Sequence, residues 1–306
     1  MIFNPRFLLV FCLVAGLVAC TPGKMVTKPD SLPPLSGTTP VTPAAPTPRV
    51  PKVALALGGG AARGFAHIGV IKILEAHNIK VEIIAGTSAG SVVGSLYASG
   101  LNAFELQQMA LRMDESVFAD WTLGNRGMFR GEALQQWVNQ QMNQRVIEQL
   151  PRKLGITATD LASGEAILFQ RGNIGIAVRA SSSVPGVFTP VAINGREYVD
   201  GGLTAPVPVQ AARSMGGDIV IAVDISTEPG GQTTQSVTEL LLQTFAIMGR
   251  AINRHELSGA DIVIRPVLNT RGTDFSARHL AILAGEQAAL AALPKIKQRL
   301  GEKSTP

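Results

Sequence analysis

Apolar positions along the chain fall into two alternating periods. Val53-Ala-Leu-Ala-Leu57 is a short unbroken apolar run ending in glycines, as in a strand buried on both faces. From about residue 64 to residue 77 the spacing becomes helical, with Phe65, Ile68, Ile71 and Leu74 on one face and Asn78 as the stop. Val81-Glu-Ile-Ile-Ala85 reads as a second strand, followed at once by Gly86-Thr-Ser-Ala-Gly90 and an apolar helix to Ser99. Further strands are predicted at 166–170, 197–199, 218–225 and 261–267. Helices lie between them, including 131–142 and 276–300, the latter interrupted near Pro294. This alternation predicts an α/β fold with a mostly parallel central sheet covered by helices on both faces. No internal repeat is present.

Composition narrows the class. At 46% hydrophobic and 16% charged residues, the chain can bury a sizeable core, which excludes disorder for the bulk. Only 5% of residues are aromatic and 32 are Gly, a balance suited to close helix-on-sheet packing. A length of 306 residues allows two domains, although α/β folds reach this size as one. The net charge of +5 is spread without a Lys/Arg cluster, and bases are not interleaved with aromatics. A dedicated nucleic-acid binder is therefore not expected, while mild attraction to anionic lipid surfaces stays open.

The amino terminus reads as an address and a tether. After Arg6, an apolar run extends from Phe7 to Val18, too short to span a ~30 Å hydrocarbon core but of signal-peptide size. It ends in Leu17-Val18-Ala19-Cys20, which resembles the lipobox of bacterial lipoproteins. The resemblance implies a signal peptide at 1–19 and acylation of Cys20; an ordinary secretory signal with an incidental Cys is the alternative. Cys12 lies inside the signal, so cleavage would leave the folded region without a cysteine. Residues 20–51, rich in Pro and Thr, form a tether reaching up to about 90 Å at ~3.1 Å per residue. The globular domain is expected at 52–300, with a tail at 301–306. Thr21 stands where an Asp would mark inner-membrane retention in such lipoproteins. The expected location is therefore a bacterial cell envelope, lipid-anchored at the periplasmic face of the outer membrane.

Four motifs carry candidate chemistry. Gly86-Thr87-Ser88-Ala89-Gly90 is a G-x-S-x-G at a strand-to-helix turn, which would thrust the Ser88 hydroxyl clear of the sheet. Gly58-Gly59-Gly60-Ala61-Ala62-Arg63-Gly64 follows the first strand and opens a helix, offering backbone N–H groups to an anion. It lacks the Gly-Lys-Ser/Thr of a phosphate loop, and Ala85-Gly86 stands where a dinucleotide site would want an acid. An oxyanion hole is the reading that remains. Asp200-Gly201-Gly202 and Ala180-Ser-Ser-Ser-Val-Pro185 are, taken singly, compatible with a turn and a helix end stopped by proline.

Together, and in this order, the four motifs resemble the patatin-like phospholipase family across roughly residues 53–226. The resemblance implies a three-layer α/β/α sandwich and acyl-ester hydrolysis of phospholipids or lysophospholipids, with no metal or cofactor. It assigns Ser88 as nucleophile and Asp200 as its partner and proton acceptor, in a dyad without histidine. Gly59, Gly60 and Ala61 would supply the oxyanion hole, with Arg63, Gly64, Gly86, Gly90 and Gly201 supporting the loop and elbow. Ala61 stands where the family has its third glycine. For the dyad to work, Asp200 must be buried away from cations, because an ordinary carboxylate is too weak a base for a serine hydroxyl.

Two other readings are open. A Ser-His-Asp esterase, in chain order Ser, Asp, His, would use His255 or His279. A non-catalytic envelope lipoprotein would use the same domain as a binding module.

Overall fold

The computed structural model describes residues 50–304, except 119, 123–125, 227–233 and 269–273. The expected signal peptide, Cys20 and most of the expected tether lie outside the described residues. Eight strands form one sheet: β1 (Val53–Leu57), β2 (Val81–Thr87), β3 (Lys153–Asp160), β4 (Ala166–Phe169), β5 (Val191–Ile193), β6 (Arg196–Asp200), β7 (Ile219–Val223) and β8 (Ile262–Ile264). Their order is β5-β6-β3-β2-β1-β7-β8, with β4 also paired to β3. Strands β3, β2, β1, β7 and β8 run parallel, β4 and β6 pair antiparallel with β3, and β5 pairs antiparallel with β6. The helices are α1 (Phe65–Ala76), α2 (Ala89–Ala98), α3 (Ala103–Arg112), α4 (Glu132–Gln141), α5 (Ile174–Ser181), α6 (Val209–Ser214), α7 (Val237–Glu256) and α8 (Arg278–Ser304).

The two faces of the sheet bury different side chains. Val53, Leu55 and Leu57 of β1 pack with Ile71 and Leu74 of α1, Leu96 of α2 and Ile282 and Ile296 of α8. Ala54 and Ala56, pointing the other way, meet Val209 and Ala212 of α6 and Val207 before it. Each Leu or Ile removed from water in this way contributes about 1.5–3 kcal/mol. The result is the three-layer α/β/α sandwich with a mostly parallel sheet. On the first face α1 and α8 touch backbone to backbone. A Cβ on Gly69 would collide with the Ile282 carbonyl, and one on Gly285 with the Ala66 carbonyl. Pro294 does not interrupt α8, which continues to Ser304, past the predicted boundary at residue 300.

Strand β3 is absent from the strands predicted above, because Gly155, Thr157 and Thr159 dilute its apolar signal. It nevertheless positions the site. Residues 156–157 pair with both β2 and β4, and 158–159 with both β4 and β6. One edge of β3 therefore carries β4, and the other carries β2 and then β6, end to end. Thr87 lies opposite Thr157 and Asp200 opposite Ala158. The residue before Ser88 and the carboxylate of the Asp200-Gly-Gly motif thus meet one β3 position apart, about 3.3 Å along the strand.

Candidate active site

Ser88 joins β2 to α2 with φ 51° and ψ −120°, a conformation that a non-glycine residue holds only at a cost of about 1–3 kcal/mol. The surroundings enforce it. A Cβ on Gly90 would collide with the Leu57 carbonyl, and one on Gly86 would lie 2.5 Å from the Gly90 oxygen, so the turn can press onto β1 only with glycine at both sites. The Ser88 carbonyl accepts from the Ser91 N–H at 2.8 Å and the Ser91 hydroxyl at 2.6 Å, opening α2. Its N–H donates to Ser181 Oγ at 2.8 Å. Below it, the Thr87 hydroxyl donates to the Ala205 carbonyl at 2.7 Å.

Asp200 ends β6, and its side chain is buried. Oδ1 accepts from the Gly202 N–H at 2.6 Å, while Oδ2 is buried with no hydrogen-bond partner. The Ser88 hydroxyl is near enough to favour the charged form, yet no bond of ordinary geometry reaches Oδ2. Nucleophile–base contacts are often loose before substrate binds. Burial pushes the carboxyl up to about 6, against the opposing pull of the Gly202 N–H and the Ser88 hydroxyl. No cation contributes to its environment, which is what a basic carboxylate requires. Gly201 keeps β6 against β3, since a Cβ there would lie 2.5 Å from the Thr157 carbonyl.

The segment after α5 ties the two residues together. Ser181, at the end of α5, receives the Ser88 N–H, and the Ser183 carbonyl accepts from the Asp200 N–H at 3.0 Å. The Ser183 hydroxyl in turn donates to the Arg179 carbonyl at 2.8 Å. Taken alone, the three serines read as a helix end; their second role depends on β6, β2 and α5 converging. The signal available was three adjacent small donors at a helix terminus beside a proline.

The glycine loop differs in part from expectation. The Gly59 N–H donates to the Pro206 carbonyl at 3.0 Å, so it is already occupied and is removed from the oxyanion donors. The Gly60 and Ala61 N–H groups take no acceptor among the described residues. Gly59 instead supports the elbow, because a Cβ there would lie 3.2 Å from Ser88 Cβ. Gly64 packs on the start of α2, where a Cβ would lie 2.7 Å from Ala89 Cβ. Ala61 has φ 50°, the left-handed region that explains the glycine in the family pattern. Arg63 Nε donates to the Gly60 carbonyl at 3.2 Å and so braces the loop. His67, fully buried on α1, holds the Gly58 carbonyl through Nε2 at 2.8 Å, and its Nδ1 has no partner. Burial lowers its pKa to about 4, so the ring is neutral and Nε2 carries the donated proton.

The other histidines lie apart from Asp200. His255 on the last turn of α7 and His279 on the first turn of α8 are exposed, and neither hydrogen-bonds to the carboxylate. Among the described residues, no three His, Cys, Asp or Glu side chains gather as metal ligands. A cavity of about 760 Å³ lined by Lys52, Lys80, Arg152 and Lys153 opens at the strand starts, the opposite end of the sheet from Ser88.

Known proteins supply a comparison. The family model described as patatin-like phospholipase matches residues 55–213. An uncharacterized NTE family protein of Mycobacterium tuberculosis is 33% identical over 252 residues, covering 81% of this chain and 69% of the relative. Patatin-like phospholipase domain-containing protein 6 of Homo sapiens is 34% identical over 184 residues, 58% of this chain but 13% of that protein. Among solved structures, VipD from Legionella pneumophila aligns with TM-score 0.52 at 14% identity, covering 80% of this chain and 67% of that one. That likeness concerns the fold.

Proposed function

Because the chain belongs to the patatin-like phospholipase family and is a hydrolase of that kind, we propose that it cleaves acyl esters of phospholipids or lysophospholipids through a Ser88–Asp200 dyad. The observation that carries this reading is Asp200 Oδ2: buried, without a partner or a neighbouring cation, and brought beside Ser88 by the β3 register.

As the Ser88 oxygen attacks the ester carbonyl, its proton passes to Asp200 Oδ2, and the carbonyl π pair moves onto oxygen. The Gly60 and Ala61 N–H groups meet that oxyanion, where a single donor is worth about 2.7–4 kcal/mol. Collapse breaks the ester C–O bond, and Asp200 returns the proton to the leaving alcohol. Water then attacks the acyl-Ser88, giving its proton to Asp200, and the fatty acid departs as Ser88 is reprotonated. Arg63 acts indirectly, by fixing the Gly60 carbonyl so that the Ala61 N–H of the same peptide keeps its direction, and His67 holds the Gly58 carbonyl at the start of the loop.

Labelling of Ser88 by a fluorophosphonate probe, and release of fatty acid from phosphatidylglycerol or its lyso form, test the assignment. Ser88→Ala should lose both. Retention of more than a tenth of wild-type turnover by Asp200→Asn would return the search to another base. A binding module without activity predicts no labelling at all. We further propose that acylated Cys20 anchors the chain in a bacterial envelope membrane, with the tether giving the domain reach. Metabolic labelling with a palmitate analogue, lost in Cys20→Ala, tests this.

A further inference from the structure

Helix α7 has three faces rather than two. At about 100° per residue, Phe245, Gly249, Ile252, Asn253 and Glu256 share the face turned toward the protein body. Asn253 Oδ1 accepts from the Val207 N–H and Glu256 Oε2 from the Gln210 N–H, both at 3.1 Å, which fixes this face on the segment following Asp200-Gly-Gly. A surface helix normally turns polar residues to solvent. Here the outward arc is mainly apolar, with Thr244 and His255 set among the apolar residues: Val237 is 76% exposed, Leu240 54%, Ile247 54% and Met248 49%. Polar residues form a narrower strip along one side, with Arg250 and Arg254 in its C-terminal half. Glu239, at its other end, is engaged with Gln235 in the N-terminal turn.

The apolar surface continues toward the dyad. Leu241 closes on Gly186, where a Cβ would lie 3.2 Å from Leu241 Cδ1. Gly186 directly follows the Ser181–Pro185 segment that holds Ser88 and Asp200. The next residues extend the patch: the Phe188 ring packs tilted against Phe129 at 5.6 Å, and Phe129 tilted against Trp121 at 4.5 Å, with Trp121 71% exposed.

We propose that the outward arc of α7 and the Trp121 cluster together form an interfacial docking surface that lays this domain on an anionic lipid bilayer. Three observations select lipid as the occupant. The arc joins an exposed Trp, which favours the headgroup level. Basic residues border it, as on helices that lie in the membrane plane. It also abuts the segment that holds the site, so docking presents Ser88 to the same surface. The last argument rests on the lipid-hydrolase reading; the first two do not. No helix among the described residues is long and apolar enough to cross a membrane, so the contact is one of lying on the surface. The acyl anchor then sets attachment, and α7 sets orientation.

The test uses the full chain reconstituted with vesicles of three parts phosphatidylcholine to one part phosphatidylglycerol. Brominated phosphatidylcholine should quench Trp121 emission, with Trp121→Phe as the control that isolates it from Trp137. Amides of α7 should gain hydrogen-exchange protection on the vesicles and not in their absence. Leu240→Gln with Ile247→Gln should remove both signals and lower the ratio of vesicle-lipid to soluble-ester turnover by about tenfold. Because quenching and exchange need no turnover, they report docking even if the dyad assignment fails. Absence of quenching in wild type, or α7 protection that depends on protein concentration without vesicles, overturns the proposal; the second result makes the face a contact between copies of this chain.

Discussion

Asp200→Asn should stabilise the protein at neutral pH while abolishing turnover. In the fold the Asp200 carboxyl is raised from 3.8 to about 6 by burial. Folding therefore favours its protonated form. The favourable contribution is complete below the unfolded pKa and is lost as pH rises through the folded one. Roughly two units at ~1.4 kcal/mol each make the ionised group cost about 3 kcal/mol above pH 7. Asn removes the charge and keeps an oxygen to accept the Gly202 N–H. For a domain of this size the gain corresponds to about 5–10 °C in melting temperature. Thermal unfolding by circular dichroism at pH 8 and pH 5 measures it. The increment should be largest at pH 8 and fall to about half at pH 5, where the native carboxyl is already mostly protonated. No increment at pH 8, or an equal one at both pH values, would refute the claim that the carboxylate is held ionised against its preference. His67 titrates in the same window with the opposite sign: lowered to about 4, it takes stability away as pH falls from 6.5. The two therefore partly offset each other in wild type between about pH 6.5 and pH 5, and Asp200→Asn should lose more stability than wild type over that interval.

Turnover of a nitrophenyl ester should decline on acidification through about pH 6 as Asp200 protonates, and Asp200→Glu should move that limb; a limb that stays put assigns it to another group. Ser181→Ala leaves the Ser88 N–H without its acceptor and should cost about 1–3 kcal/mol, seen in urea unfolding, with a fall in kcat. His255→Ala and His279→Ala should each keep turnover within about twofold, since both side chains are exposed and unlinked to Asp200; a collapse in either restores the Ser-His-Asp reading. Gly60→Ala should lose activity and expression together, because the added Cβ would sit 2.8 Å from Ile225 Cδ1 and 2.9 Å from the Ile225 carbonyl.

Elements with strong local signals were legible. β1, α1, β2 and α2 follow directly from apolar period, and Ser88 from the glycines on either side of it. What escaped depends on contacts distant in sequence. β3 carries the register that joins Ser88 to Asp200, but its Thr-rich sequence has no pronounced period. The Gly59 N–H looked available because nothing local announces Pro206, far along the chain, as its acceptor. The roles of Ser181 and Ser183 exist only once α5 lies across the ends of β2 and β6. α7 showed that a helix can be amphipathic and still leave apolar residues in solvent, a distinction that depends on which face the body occupies.

The division of the proposed dyad between two strands has a consequence for how the enzyme fails. Ser88 sits at the end of a central strand with parallel neighbours on both sides, whereas Asp200 arrives on a hairpin that grips β3 through residues 158–160 alone. Short peripheral pairings open before a core does. Mild denaturant should therefore separate the base from the nucleophile while the far-ultraviolet spectrum stays native. Catalysis then works as a gauge of whether one sheet margin is closed, and inactivation need not mean unfolding.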